Sequence, residues 1–590
     1  MKKSLLLIPL SLLAISALVG CNKKQTSEDD TESISLPDPS GNTDGGTTHT
    51  PVTVDETPDE PEVNNSGSFS LKLGDDKVSA VNGVYTITTA GTYTAKGVLE
   101  DGQIIVDAGD EDEVVIELKG ASISCSTDSP IKAIKADKLE ISAKKDTANE
   151  VIDNRSAKTV ENDNLGEGAI NAKCDLKLKG TGTLVVKGNY NNGVHTTKDL
   201  DIQKQTLYVV AVNNAFKGKN SIEMVSGTVT AISKKGNGLK TDNTDLSSKG
   251  NQRGSVTISG GTLIVDSAFD AIDAAYNVLI NEENEDSLET SVSIKTGAYS
   301  TFSANYVSTE SAKGIKADND ITIAAGTVAL DTSDDGIHAN YGDVISSGGL
   351  GAGTINVTGG LVGIKAGDDG IHADHTLKVT GGIIDISRAK EGLEATHIKI
   401  EGGSTSIYGT DDGVNASQKI NDTENPSVEI SGGFLDVAMS SGDTDGIDSN
   451  GTFTMTGGFV VSRGGFGRAD RMSTGLDCDM TAKMSGGTFI AFNGVEKKPT
   501  TSTDICYAYY GSSSGGGGPH WTNYSQTNKF GIGVYTLEGD DMTKTFENVF
   551  EYNTFLVYSS EIVSGKTYTL SLGETTVLSW TQQGRNTEIR

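Results

Sequence analysis

The sequence predicts an all-β chain, a right-handed parallel β-helix with β end caps, and three observations predict it. A short phrase recurs at glycines 314, 336, 370, 392, 413, 446 and 475, with a basic step of 21–22 residues and longer steps that accommodate insertions. Each step also carries short strands of period-2 apolar alternation separated by small-residue and glycine corners, as in Leu377–Ile386. No stretch shows a sustained 3.6-residue apolar stripe with caps, so helix is expected to be nearly absent. Repeats of this length with two or three strands each suit a solenoid of parallel coils, and parallel crossovers favour the right hand.

Composition agrees. The 590 residues include 72 glycines but only 10 prolines, and aromatics make up 6%, a turn-rich β signature without a collagen triplet. With 80 acidic against 48 basic residues the net charge is −32. Phosphate backbones need a basic surface, so nucleic acid is not an expected partner and cations are.

Four parts follow along the chain. Residues 1–20 read as an export signal: Lys2 and Lys3 precede an apolar run too short to span a membrane as a helix. The run ends Leu18-Val19-Gly20-Cys21, which resembles the lipobox of bacterial lipoproteins. That resemblance implies lipidation of Cys21 and a cell-surface protein anchored to a bacterial membrane. Residues 21–66 are rich in Ser, Thr, Asp, Glu, Gly and Pro and read as a disordered tether. Residues 67–492 carry cap strands and then the repeat, with degenerate copies at Gly168, Gly193, Gly238 and Ala271. Residues 493–590 read as an aromatic, glycine-rich loop and a C-terminal β cap that protects the last coil's edge. Cys125, Cys174, Cys478 and Cys506 form no CxxC pair, and packed free thiols are expected at Cys174 and Cys478. A monomer is expected.

The chemistry lies in the repeat, read as Asp334-Asp335-Gly336-Ile337-His338-Ala339 and Asp368-Asp369-Gly370-Ile371-His372-Ala373. Weaker copies centre on Gly392, Gly413 and Gly446. Stacked coils bring equivalent residues to about 4.8 Å. The Ile and Ala positions then form internal columns. One outward column runs Lys316, His338, His372, Glu394, Asn415, Asp448, Asp477, and another runs Lys313, Asp335, Asp369, Glu391, Asp412, Asp445. Carboxylates at that spacing repel unless neutralised, and Ca²⁺ accepts 6–8 oxygen ligands in flexible geometry. Asp334, Asp335, Asp368, Asp369, Glu391, Asp411, Asp412, Asp445 and Asp448 are the candidate Ca²⁺ ligands. Side-chain capping of turns explains the same aspartates without metal, and Zn²⁺ at His338 and His372 is a further alternative.

Enzymatic readings rest on the same residues. Asp443-Thr444-Asp445-Gly446 resembles one acidic motif of β-helical polygalacturonases, but that family's Gly-His-Gly and Arg-Ile-Lys are missing, which removes support for paired-carboxylate hydrolysis. A calcium-dependent lyase acting on uronate polymers would need a base, for which Lys390 is the candidate.

From about Ser68 to Leu572 the chain resembles a bacterial surface family of carbohydrate-binding β-helix proteins. The matching passages are Gly102–Ala108, the Asp-Asp-Gly-Ile-His-Ala copies and Gly565–Leu570. This resemblance implies Ca²⁺ at the acidic repeat and binding of a polysaccharide, cellulosic or acidic, without turnover. Tyr509, Tyr510 and Trp521 are candidate stacking platforms for sugar rings. A structural or adhesive surface role is the third reading.

Overall fold

The structure, a computed structural model, describes residues 52–589 except 161, 163, 283–288, 298–310, 345–348, 420–423, 441, 443, 466–472, 512–529 and 540. Cys21, the signal segment, most of the tether and Trp521 lie outside the described residues. Those described contain no helix, and one mostly parallel sheet holds 47 of the strands.

Three parallel ladders make up most of this sheet, and between Gly168 and Ala317 each strand pairs with the third strand after it. The first, the glycine ladder, passes through Gly168–Ala172, Asn192–Thr196, Phe216–Gly218, Leu239–Lys240, Ile272–Ala274, Ile315–Ala317 and Ile337–Ala339. It continues through the strands opening at Ile371, Leu393, Val414, Ile447 and Asp477. The second ladder includes Asp320–Ile323, Thr354–Val357, the later parts of Ile371–Val379 and Leu393–Ile400, and Ser427–Ile430. The third includes Ser291–Thr296, Thr327–Asp331, Leu361–Lys365, Ile383–Ala389 and Ser404–Gly409. Sequence spacing missed the copy at Phe216, where Ala215 takes the glycine's place. Gly193 and Gly238 are two steps apart.

The inward columns are as expected: Ile337, Ala339, Ile371, Ala373, Leu393, Ala395, Val414 and Ala416 are all fully buried. Burying each such Ile, Leu or Val side chain contributes roughly 1.5–3 kcal/mol, and one continuous core runs along the ladders. Cys125, Cys174, Cys478 and Cys506 are buried and free.

The repeat glycine is set by closeness, not by dihedral angle. A Cβ at Gly336, Gly370, Gly392 or Gly413 would stand 2.5–2.7 Å from the carbonyl oxygen of the next coil's glycine. Backbone cannot yield as a side-chain tip can, so Gly392→Ala is expected to cost about 2 kcal/mol or more, seen as a lower midpoint in urea. The paired-glycine corners divide the work differently. The second glycine of each pair, such as Gly382 and Gly403, adopts φ of +82° and +77°.

At the C-terminal end, Thr488–Phe492 closes the third ladder by pairing antiparallel with Phe555–Ser559. This change of direction ends the repeat where the sequence places its end. Beyond it, Gly533–Gly539, Met542–Asn548, Thr567–Leu572 and Thr575–Thr581 form an antiparallel sheet over an aromatic core of Phe492, Phe530, Phe546, Phe555 and Trp580.

One boundary moves. Residues 52–66, expected in the tether, lie extended along the third ladder. The Asp55 amide donates to Ser293 Oγ (2.7 Å), Thr57 Oγ1 to Asp266 Oδ2 (3.2 Å), and Lys187 Nζ meets Glu60 at 2.5 Å. Val63 packs on Val185, Tyr208 and Ile232, and Asn65 donates to Ser122 Oγ and Ala148 O. Polar composition hid this segment because its few apolar residues are spread along an extended chain. Each is half-buried on a neighbouring surface, and the segment needs no core of its own.

Candidate functional site: a charged column on the glycine ladder

The residue before each glycine occupies one stacked position, reading Asn192, Asn214, Asn237, Asp270, Lys313, Asp335, Asp369, Glu391, Asp412, Asp445, Thr474. Its carbonyl accepts the preceding coil's amide: Gly336 N donates to Asp369 O at 2.8 Å and Gly370 N to Glu391 O at 2.8 Å. Its side chain accepts from the following coil. Asn192 Oδ1 takes the Asn214 amide (3.2 Å), Asp335 Oδ1 the Asp369 amide (3.1 Å), and Asp412 Oδ1 the Asp445 amide (2.8 Å). Turn capping is therefore built into this column. Asparagine performs it in the early coils without charge, so capping does not explain why later coils use acids.

The middle of the column balances its own charge. Lys313 Nζ reaches Asp335 Oδ2 (2.6 Å) and Asp334 Oδ1 (3.1 Å). The His338 and His372 rings stack with centroids 4.4 Å apart. His338 Nδ1 lies 2.6 Å from Asp335 Oδ2, and His372 Nδ1 lies 2.8 Å from both Asp369 Oδ2 and Glu394 Oε2. Asp374 Oδ1 spans the two Nε2 atoms at 3.6 and 3.3 Å. Lys419 pairs with Glu394. Burial opposes charge on His372, but Asp369 and Asp374 outweigh it and raise the imidazole to about 9. Burial likewise opposes charge on Asp335, yet the His338 hydrogen bond and Lys313 hold its carboxyl well below the usual range. The histidines, read from spacing as a separate outward column, in fact face the acids and neutralise them.

Further along, that balance is lost. Burial, followed by the charges of Asp412 and Asp477, raises Asp445 to about 8 despite two hydrogen bonds from Thr474. Burial together with Asp412, Asp477, Asp479 and Glu391 raises Asp448 to about 7. Glu391 is raised by burial and by Asp369, and Asp477 by burial and its neighbour Glu496.

Among the candidate ligands, oxygens of Asp334, Asp335 and Asp368 lie within 4.8 Å of one another, and Asp369 closes equally with His372 and Glu394. Glu391, Asp412, Asp445 and Asp448 belong to the unbalanced stretch, where no three ligand atoms close to that distance among the described residues. The Asp411 amide donates to Lys390 O (2.9 Å). Lys390 itself is exposed, 3.4 Å from Asp368 Oδ1, and that carboxylate raises its pKa further, so it stays protonated and is a poor base. Tyr509 packs on the main core and Tyr510 meets Phe530 edge-on at 5.6 Å. Both rings are half-buried at the end of the strand Cys506–Tyr510.

Spacing gave no sign of two other features. An open polar cavity of about 890 Å³ is lined by Lys158, Glu167, Asn191, His195, Asn213 and Lys217, among others. Burial lowers His195 to about 4, so it is neutral there. A second imidazole pair, His375 and His397, lies on the second ladder with Glu424. His375 and His397 stand 22 residues apart in the chain and the third ligand comes from a loop outside the repeat, so no short motif marks the group.

These features define a β protein of stacked polar and acidic ladders, rich in amide, hydroxyl and carboxylate groups. A family model described as "Carbohydrate-binding domain-containing protein" matches residues 81–354 and 350–444, more than half of the chain. The chain belongs to this carbohydrate-binding domain family. A relative from Acetivibrio thermocellus, also described as a carbohydrate-binding domain-containing protein, is 32% identical over 207 residues, 35% of this chain and 65% of the relative. The chain thus spans just under two thirds of that relative's length. A solved structure titled as the polysaccharide lyase-like protein from C. thermocellum, in a gadolinium derivative, shares 31% identity. It covers 42% of this chain and 89% of its own, with a TM-score of 0.36.

Proposed function

We propose that this chain is a lipid-anchored cell-surface protein that binds polysaccharide, acidic or cellulosic, without turnover, on a right-handed parallel β-helix stabilised by Ca²⁺. Family membership supports the polysaccharide partner. One observation carries the cation: the capping position needs only the amide that Asn192 and Asn214 supply, yet at Asp412 and Asp445 it holds mutually repelling carboxyls. A hard divalent cation with several oxygen ligands offsets that repulsion, and it leaves a coordination position for a uronate carboxylate. The three parallel ladders support the coil, and the usual chirality of parallel crossovers supports its hand. The lipobox-like sequence at Cys21 supports the anchor.

The test is retention of the chain from Asn22 onward on insoluble cellulose and on polygalacturonate, with Ca²⁺ or with chelator. Retention on at least one polymer is expected, and chelator should weaken it on the acidic one. Retention on neither polymer overturns the glycan reading. Accumulation of unsaturated uronates, lost in Lys390→Ala, would replace it with the lyase reading. The protonated state of Lys390 argues for no such signal.

A further inference from the structure

We propose that His375, His397 and Glu424 form a surface site for a borderline transition-metal cation, Zn²⁺, separate from the acidic column. The fold brings the two histidines together. Both lie on second-ladder strands of neighbouring coils, His397 in register with Thr376 on one side and Ser427 on the other. Their rings meet edge-to-face with centroids 5.3 Å apart, and Tyr341 stacks on His375 at 5.2 Å.

The polar contacts have a direction. On the inner side of each ring, Nδ1 meets a hydroxyl: Thr376 Oγ1 at 2.9 Å for His375 and Ser427 Oγ at 3.0 Å for His397. On the outer side, both Nε2 atoms face one carboxylate oxygen, Glu424 Oε2, at 3.9 and 2.8 Å. One ligand atom from each residue lies within 4.8 Å of the others. With a metal on both Nε2 atoms each hydroxyl accepts the Nδ1 proton, and the two ring nitrogens and the carboxylate oxygen then converge on one position. Hydrogen bonding that fixes the tautomer and aim of a ligating histidine is the usual support of a zinc ligand.

The donor set selects the metal. Two imidazoles and one carboxylate suit Zn²⁺ with an open position for water. Ca²⁺ takes oxygen ligands and would not choose imidazole. This separates the site from the oxygen-rich stretch at Asp412 and Asp445. The proposal does not depend on the function inferred above, since a zinc site here is compatible with any glycan or none.

The experiment uses tag-free protein covering the chain from Asn22 onward, stripped with chelator and then held in excess Ca²⁺ so that oxygen sites are occupied. Zn²⁺ is titrated calorimetrically, and Co²⁺ is followed by its visible absorption. Binding of about one Zn²⁺ per chain is expected. It should be lost in His375→Gln and His397→Gln and weakened ~10-fold or more in Glu424→Gln. Thermal melts of the variants confirm that they fold, and Glu424 is exposed enough to be replaced without disturbing the core. No Zn²⁺ binding in excess Ca²⁺, or binding that all three substitutions leave unchanged, overturns the proposal. In that case Glu424 serves only as the hydrogen-bond partner of His397.

Discussion

Stripped of divalent cations, the protein is expected to lose stability as pH rises from 5 to 8, and Ca²⁺ is expected to restore it only at the upper end. Asp445 and Asp448 are raised in the folded state to about 8 and about 7. A carboxyl raised on folding favours the folded state fully below its unfolded value near 4, and that contribution is lost as pH climbs through the folded value. His338 and His372, also raised, act in the same direction, the contribution of His372 fading from about 6.5 towards 9. Asp335 and Asp374 are depressed, so their contribution is lost only in acid, as pH falls below the usual carboxylate range. Stability of the ion-free protein should therefore peak near the ordinary carboxylate range, about pH 4. By pH 7.5 the stability lost through Asp445 is at most on the order of 5 kcal/mol, ~1.4 kcal/mol for each pH unit above its unfolded value. A cation reverses this by favouring the charged form. Melting temperatures in chelator and in Ca²⁺ at pH 5, 6.5 and 8 give the comparison. Asp445→Asn and Asp448→Asn should flatten the decline in chelator and reduce the gain from Ca²⁺. A pH profile that is level in chelator and indifferent to Ca²⁺ would remove the acidic stretch as a cation site.

Much of this architecture was legible in the chain because the repeat is local and periodic. Glycine and the alternating aliphatic positions fix the corner and the core of each repeat, and parallel pairing makes the register of Lys316, His338, His372, Glu394, Asn415, Asp448 and Asp477 follow from counting. Counting cannot say which columns face each other. His338 meets Asp335 three residues back on its own coil, and Asp374 spans both imidazoles from the far side. The sequence therefore showed acids in line but not that half of them are already neutralised. Segments outside the period were hidden for a related reason. Residues 52–66 carry no repeat signal, and their place along the third ladder depends on partners as distant as Ser293 and Asp266. Phe216 was missed because Ala215 does the work of glycine at one crossing.

The largest loss of stability from a single substitution is expected at Arg463, where the ladders join the C-terminal sheet. Arg463 ends the strand Phe459–Arg463 and is almost wholly buried, with 1% of its surface exposed. Its guanidinium donates to Asn548 Oδ1 (2.8 Å), Glu547 O (2.6 Å) and Val437 O (3.1 Å), and pairs with Asp436. Asn548 and Glu547 belong to the strand Met542–Asn548, so this one side chain binds two sheets. Burial raises the Asp436 carboxyl, and Arg463 is what opposes that shift. Arg463→Ala leaves a buried carboxyl without its counter-charge and removes one donor from each of three acceptors. Removing one partner of a buried pair costs about 3–5 kcal/mol. Replacing both partners by apolar side chains of similar volume is far cheaper, so Arg463→Met combined with Asp436→Leu should recover much of the loss. Urea denaturation followed by tyrosine and tryptophan fluorescence together with circular dichroism distinguishes the cases. The single variant should unfold its aromatic C-terminal core before the ladders, giving two transitions where the parent has one. A single variant that loses less than about 1 kcal/mol, or a double variant no better than the single, would mean that the aromatic contacts of Phe492, Phe530 and Phe555 hold this junction and that the charge pair adds little.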